Sequence, residues 1–223
     1  MTVTYHNDFE QGSGAWLAQR CGMLAASEIE RILTPTLKVA RTEKERQHVY
    51  ELLAQRVNKY VEPQYISDAM LRGENEEIAA RELYSEKYAP VAQCGFVTND
   101  KWGFNMGYSP DGLVGDDGLI EVKSRAQKYQ MQTIIEAVLP VEFSLQVQSG
   151  LLISERNWCD FISYSGGMVM FVLRIFPDPV IQNAIVEAAS AFEARLAEKL
   201  LVYTANAQNF HPTEKRDYED ITL

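Results

Sequence analysis

The stretch GYSPDGLVGDDGLIEVKSR, residues 107–125, places four acids and two bases among turn-forming glycines. It ends in LIEVK (119–123), whose Leu, Ile and Val mark a buried strand. Residues two apart in a strand share a face. Glu121 and Lys123 therefore point one way and Ile120 and Val122 the other, so the apolar pair packs in a core while the charged pair faces a cleft. Asp111 follows Pro110, and the GDDG between it and the strand reads as a hairpin. For Asp111 to share the face of Glu121, paired residue numbers must sum to an even number. A three-residue loop 116–118, with Gly115 opposite Leu119 and Gly118 left-handed, meets that condition. It sets Asp111 opposite Lys123 and diagonal to Glu121, about 7–8 Å away between backbones. Two carboxylates so spaced can share a hard divalent cation such as Mg²⁺, with the Val122 carbonyl as a further ligand. Lys123 would then position a water or lower its pKa. The same letters also fit a surface hairpin whose Asp–Lys pair is solvated and worth little.

Other inward polar residues favour the site. In AMLRGENEEIAARELYSEKY (69–88) Ala80, Leu83, Tyr84 and Tyr88 make an apolar helical stripe, and Glu77 lies on it with Arg81 one turn on. An internal Glu77–Arg81 pair and a metal-site role fit Glu77 equally. Gln148 follows Val141 and Leu145 at helical spacing and so also faces inward, where an amide satisfied by nearby backbone is the default for a single Gln. Ser27 with Glu30 reads as a capping box starting a helix at Ser27, with Arg20 just before it. A helix start beside a guanidinium can hold a phosphate, although Glu28 and Glu30 equally suit a plain cap.

The remaining pattern is that of a mixed α/β domain spanning 1–223 with a polar tail from about 204. Helices before residue 90 are followed by a meander of about three strands, then helices over 129–139 and 141–154. A hairpin around Ser165-Gly166-Gly167 and a helix over about 179–201 close the pattern. The 223 residues allow a full core, and 46% hydrophobic with 23% charged residues is ordinary for a globular chain. No apolar run reaches the ~18 residues of a membrane span, and the first residues lack a secretory pattern. Cys21, Cys94 and Cys159 contain no CxxC, which argues against a zinc knuckle or iron–sulfur cluster and for reduced cytosolic thiols. The net charge of −10 argues against nucleic acid when taken alone. However, residues 36–60 hold six Lys/Arg against three Glu, while 62–86 hold seven acids against two Arg.

Arg20 with AASE (25–28), RGENEEIAAR (72–81), SPDGL (109–113), LIEVK and LQVQ (145–148), in this order, resemble the lambda exonuclease/YqaJ family of viral recombination nucleases. That family belongs to the PD-(D/E)xK nuclease superfamily. The resemblance covers about residues 14–155. It implies a restriction-endonuclease-like α/β fold, a central mixed sheet flanked by helices. It implies Asp111 and Glu121 as metal ligands with the Val122 carbonyl, Lys123 as catalytic lysine, and Glu77 supporting a second metal or its water. Gln148 would orient the nucleophile or phosphate. Arg20, Ser27 and Ser109 match a pocket for a 5′-terminal phosphate, and Met70 matches an apolar wedge that parts the terminal base pair. The implied activity is a Mg²⁺-dependent 5′→3′ exonuclease on double-stranded DNA ends, using two ions that Mn²⁺ can replace. It would act as a homotrimeric ring in a bacterial cytoplasm, of phage or prophage origin, with a single-strand annealing recombinase as partner. Arg41, Lys44 and Arg46 are candidates to line the ring, or lie on a solvated helix face. Ala25 departs from the family's Thr and removes a hydroxyl from the phosphate pocket. A PD-(D/E)xK endonuclease, a catalytically idle DNA-end binder and an acidic assembly module are the alternatives. The complete acid–acid–lysine set favours an enzyme, and the missing cysteine cluster disfavours an iron–sulfur nuclease.

Overall fold

The computed structural model describes residues 2–63 and 67–215; residues 64–66 of the EPQYIS connection and 216–223 of the tail lie outside the described residues. In chain order the elements are β1 (Val3–His6), α1 (Gly14–Arg20), β2 (Leu24–Ala25), a 3-10 turn (Ala26–Glu28) leading into α2 (Ile29–Ile32), α3 (Glu43–Asn58) and α4 (Asp68–Lys87). Then follow β3 (Phe96–Asn99), β4 (Met106–Tyr108), β5 (Gly112–Val114), β6 (Gly118–Ser124), α5 (Gln127–Glu136), α6 (Val141–Ser154), β7 (Trp158–Tyr164), β8 (Phe171–Ile175) and α7 (Pro179–Ala207).

The restriction-endonuclease-like α/β class expected from the sequence holds, with its strands divided between two mixed sheets, β1-β3-β4-β2 and β5-β6-β7-β8. β6 and β7 run parallel, so the chain must cross over between them, and α5 and α6 form that crossover. A bridge from Ala92 to Leu113 ties the β5 edge to the segment leading into β3. β1 and β2, four and two residues long, were not foreseen from the sequence. α7 runs through Ala207, so the expected polar tail begins as helix.

β6 is covered on both faces, not one. Ile120 and Val122 pack with Ala80 and Tyr84 of α4, and Leu119 lies in the larger core with Val147 and Leu151 of α6. A strand paired in parallel at the middle of an α/β sheet loses both faces to helices. Glu121 is consequently buried, and Lys123 is partly exposed.

The hairpin register differs from expectation by two residues while keeping its parity. Gly112 faces Ile120, Leu113 faces Leu119, and Val114 faces Gly118. By continuation Asp111 falls opposite Glu121 and not Lys123. The left-handed glycine is Gly115, at φ 54°. Gly118 is a strand residue for a different reason: the Trp158 ring lies over it, 2.1 Å from where a Cβ would stand. We expect Gly118→Ala to cost about 1–3 kcal/mol by overpacking, read as a lower urea midpoint with unchanged slope.

The first helices also differ in detail. Ala25, not Ser27, precedes the turn; Glu28 Oε2 accepts from the Ala25 N–H at 3.0 Å, so the reach-back carboxylate is Glu28 rather than Glu30. Of the stripe on α4, Ala80 and Tyr84 are buried, whereas Tyr88 is exposed and stacks on Tyr84 at 5.0 Å.

Candidate active site

Three elements bring the acids and the lysine together. β6 carries Glu121 and Lys123 on one face, and Lys123 Nζ donates to Glu121 Oε1 at 2.6 Å. Asp111, just before β5, is tied to β6 by the Val122 N–H, which donates to Asp111 Oδ2 at 2.6 Å. From α4, Arg81 Nη1 donates to the Asp111 carbonyl at 2.9 Å and to Glu77 Oε1 at 3.1 Å. The internal pair for Glu77 is thus present, and the pair holds Glu77 near the other carboxylates.

The charges confirm that these groups feel one another. Burial, then the Glu121 charge, pushes the Asp111 carboxyl well above its ordinary value, with Glu77 adding and Lys123 and the Val122 N–H opposing. Burial also raises Glu77, against Arg81, with Glu121 adding. For Lys123 burial works downward, but Glu121, Asp111 and Glu77 outweigh it and its pKa lies above that of an ordinary lysine. Lys123 therefore remains an ammonium at neutral pH.

Two partners of Glu121 went unrecognised in the sequence. Tyr108, on β4 of the other sheet, donates its hydroxyl to Glu121 Oε2 at 2.8 Å. Burial, then the Glu121 charge, raises the Tyr108 phenol well above its usual pKa, so it stays a donor. Gly150 on α6 makes room for that ring, whose Cζ is 2.7 Å from a hypothetical Cβ. Gln146 of α6 donates to Glu121 Oε1 at 2.5 Å. The LQVQ motif contained this residue, but inward helical spacing selected Gln148. Gln148 is inward, yet two residues on a helix turn a side chain about 200°. Its amide donates to the Phe176 carbonyl at 2.9 Å and accepts from the Asp178 N–H at 2.8 Å, pinning the start of α7. The structure places Gln148 away from the trio and Gln146 on it.

The expected phosphate residues line a cavity of about 190 Å³ that reaches Asp111 and Gln146. Arg20, Ser27 and Ser109 all border it. Arg20 Nη2 donates to Ser27 Oγ at 3.3 Å and pairs with Glu28 at 3.2 Å. Trp16, overlooked in the sequence, organises the group: its ring underlies Arg20 at 5.2 Å and its Nε1 donates to Ser109 Oγ at 2.9 Å. Ala25 borders the cavity with a methyl where the family's Thr has a hydroxyl. Met70 lies half-exposed on α4 and lines a larger adjoining cleft of about 1330 Å³, which also reaches Arg20, Glu77 and Asp111. Arg41, Lys44 and Arg46 are exposed, and Arg46 pairs with Glu43 at 2.8 Å, as on a solvated helix face.

Among the described residues no three His, Cys, Asp or Glu side chains are arranged to chelate a metal. The residues nonetheless fit a hard cation of the Mg²⁺ type, which keeps several waters and binds through one or two carboxylates. Asp111 and Glu121 supply oxygen donors only, and a cation between them would offset both the burial and the Glu121 charge that raise the Asp111 carboxyl. Glu77, tied through Arg81 to the Asp111 carbonyl, remains the expected support of a second ion or its water, and the Val122 carbonyl the expected further ligand.

Among the described residues no single helix is long and apolar enough to cross a membrane. All three cysteines are free, with Cys94 and Cys159 buried.

No curated protein matches the chain. Its structure is similar to that of an alkaline exonuclease, LHK-Exo, from Laribacter hongkongensis, at 30% sequence identity, TM-score 0.78, covering 88% of this chain and 99% of that one. The same enzyme in complex with dAMP matches over the same shares at TM-score 0.79. A phage related exonuclease from Haemophilus somnus 129PT, 11% identical, shares the fold at TM-score 0.55 over 80% of this chain and 96% of its own. Residues 15–157, which hold every one of these site residues, match the model of the YqaJ-like viral recombinase domain, and the chain belongs to that family.

Proposed function

We propose that the chain is a nuclease that removes nucleotides from the 5′ end of one strand of double-stranded DNA, with Mg²⁺, and leaves a 3′ single-stranded overhang. The observation that carries this is the grouping of Asp111 with Glu121, Lys123 and Glu77, where Asp111 borders the same cavity as Arg20, Ser27 and Ser109. Two charged clusters side by side suit a substrate with a terminal phosphate on one and the neighbouring phosphodiester on the other. The similarity to the alkaline exonuclease LHK-Exo supports the exonuclease class. The homotrimeric ring and the annealing recombinase as partner rest on the family resemblance alone.

A bound divalent cation would supply electrostatic stabilisation of the phosphate charge and ease ionisation of the attacking water. The protein's own part is positional. The Val122 N–H orients Asp111, while Tyr108 and Gln146 fix both oxygens of Glu121. Lys123, an ammonium in the cation-free protein, donates hydrogen bonds and stabilises charge gathering on the phosphate oxygens. Arg20, stacked on Trp16, presents a guanidinium suited to two phosphate oxygens.

The decisive experiment is digestion of a linear duplex labelled separately at each 5′ and 3′ end, beside a closed circle, with Mg²⁺ and with chelator. Early loss of the 5′ label, sparing of the circle and no digestion in chelator are expected. Cutting of the circle would replace end recognition by endonuclease action. For Arg20→Ala we expect the preference for 5′-phosphorylated over 5′-hydroxyl ends to fall about tenfold, near the ~1.5–3 kcal/mol of a charged hydrogen bond. Equal slowing on both ends would make Arg20 a general DNA contact.

A further inference from the structure

Two residues beyond Lys123, Arg125 continues the charged face of β6. Its side chain is only 10% exposed. The guanidinium lies 4.9 Å from the Phe143 ring centre and 5.1 Å from that of Tyr129. Lys123 Nζ lies 5.7 Å from the same Phe143 ring, so the two cations share one aromatic ring. A guanidinium has five N–H donors. Nη1 donates to Glu142 at 3.0 Å, while Nε is buried and has no hydrogen-bond partner. Arg125 also stands directly before the N-terminus of α5. That ten-residue helix has Ala126 as N-cap with no side-chain cap, no acid in its first turn, and an exposed Lys128 there. A first turn normally recruits an acid or a capping oxygen to satisfy its free N–H groups, and a lysine there opposes the helix dipole.

We propose that Arg125, the free amides opening α5 and Lys128 form a second phosphate site, which grips a phosphodiester of the same DNA strand next to the one being cut. The site rests on the nuclease function proposed above and adds a substrate contact to it. Largely buried and set over two rings, the guanidinium is preorganised, so ordering it on binding costs little. Glu142, half-exposed, holds the outer edge until the phosphate displaces it. Arg125 is a binding residue on this account and has no part in proton transfer.

The test is duplex binding in chelator across a series of salt concentrations, with wild type, Arg125→Met, Arg125→Lys, Lys128→Gln and Glu142→Gln. Each lost phosphate contact lowers the slope of log K against log salt by about 1. Arg125→Met is expected to lose about that much slope, to bind roughly tenfold more weakly, and to raise KM more than it lowers kcat. Lys128→Gln should do the same more weakly. Arg125→Lys should recover the slope but only part of the affinity, and Glu142→Gln should bind more tightly. Lys128→Gln and Glu142→Gln alter exposed or half-exposed side chains, so they decide the matter even if Arg125→Met folds poorly. Wild-type slope and affinity in both of them, or in a folded Arg125→Met, would make the cluster packing only and overturn this site while leaving the nuclease standing. A wild-type protein that neither binds nor digests duplex would overturn both.

Discussion

Lys123→Ala is expected to slow strand hydrolysis by at least about 10²–10³-fold, the cost of removing one preorganised charge donor from a transition state. Duplex binding in chelator should stay within about threefold, because the ammonium is engaged by Glu121 before substrate arrives and adds little to docking. The argument lies in where the ammonium sits. Lys123 Nζ is 2.6 Å from Glu121 Oε1, and three carboxylates keep it protonated. It therefore contributes where charge builds up during the reaction and less where substrate merely docks. Single-turnover digestion beside anisotropy titration separates the two effects. Unchanged turnover would remove Lys123 from the chemistry, and equal loss of binding and turnover would make it a docking residue.

Asp111→Asn should abolish digestion, by about 10³-fold or more, and at the same time stabilise the cation-free protein. Its carboxyl is pushed well above the ordinary value by burial and by Glu121. A carboxyl raised in the fold binds protons more tightly there than in the unfolded chain. The wild type therefore loses stability as pH rises from the ordinary carboxyl range towards the raised value, and the asparagine does not. Asn keeps an acceptor for the Val122 N–H and ends the repulsion with Glu121 and Glu77. Relief of about 1 kcal/mol would raise Tm by roughly 2–4 °C for a chain this size. The gain should grow between acidic and neutral pH in chelator and shrink when Mg²⁺ is added, since Mg²⁺ stabilises only the form that binds it. A drop in Tm in chelator, with full activity, would show Asp111 to be a structural pin. Such opposition of activity and stability is expected wherever like charges are assembled to hold a cation.

The site was partly legible because its chemistry sits in short, periodic segments. The alternation in LIEVK put Glu121 and Lys123 on one face, and the parity rule put Asp111 on that same face, although the register set it opposite Lys123, two residues from its place opposite Glu121. Register depends on which glycine turns and which is pressed by a neighbour, and Trp158, forty residues on, decides that for Gly118. Glu77 was recognisable as an acid on an apolar stripe, while its joint hold by Arg81 on the Asp111 carbonyl needs the packing of α4 against the β5 edge. Gln146 was hidden because helical periodicity ranks residues by inwardness and cannot say which buried direction leads to the acids. Tyr108 and Trp16 were hidden because aromatic residues read as core, and only tertiary structure aims their polar ends at Glu121 and Ser109.

By itself the sequence determined which residues carry the charge, which face of β6 they share, and the order of the longer helices and strands, because these follow from local periodicity and from five motifs in register. Only the tertiary structure decided the hairpin register, the choice of Gln146 over Gln148 and the enclosure of Glu121 from both sides. Those depend on contacts between residues far apart in the chain, where packing and burial, and not local preference, set the energy.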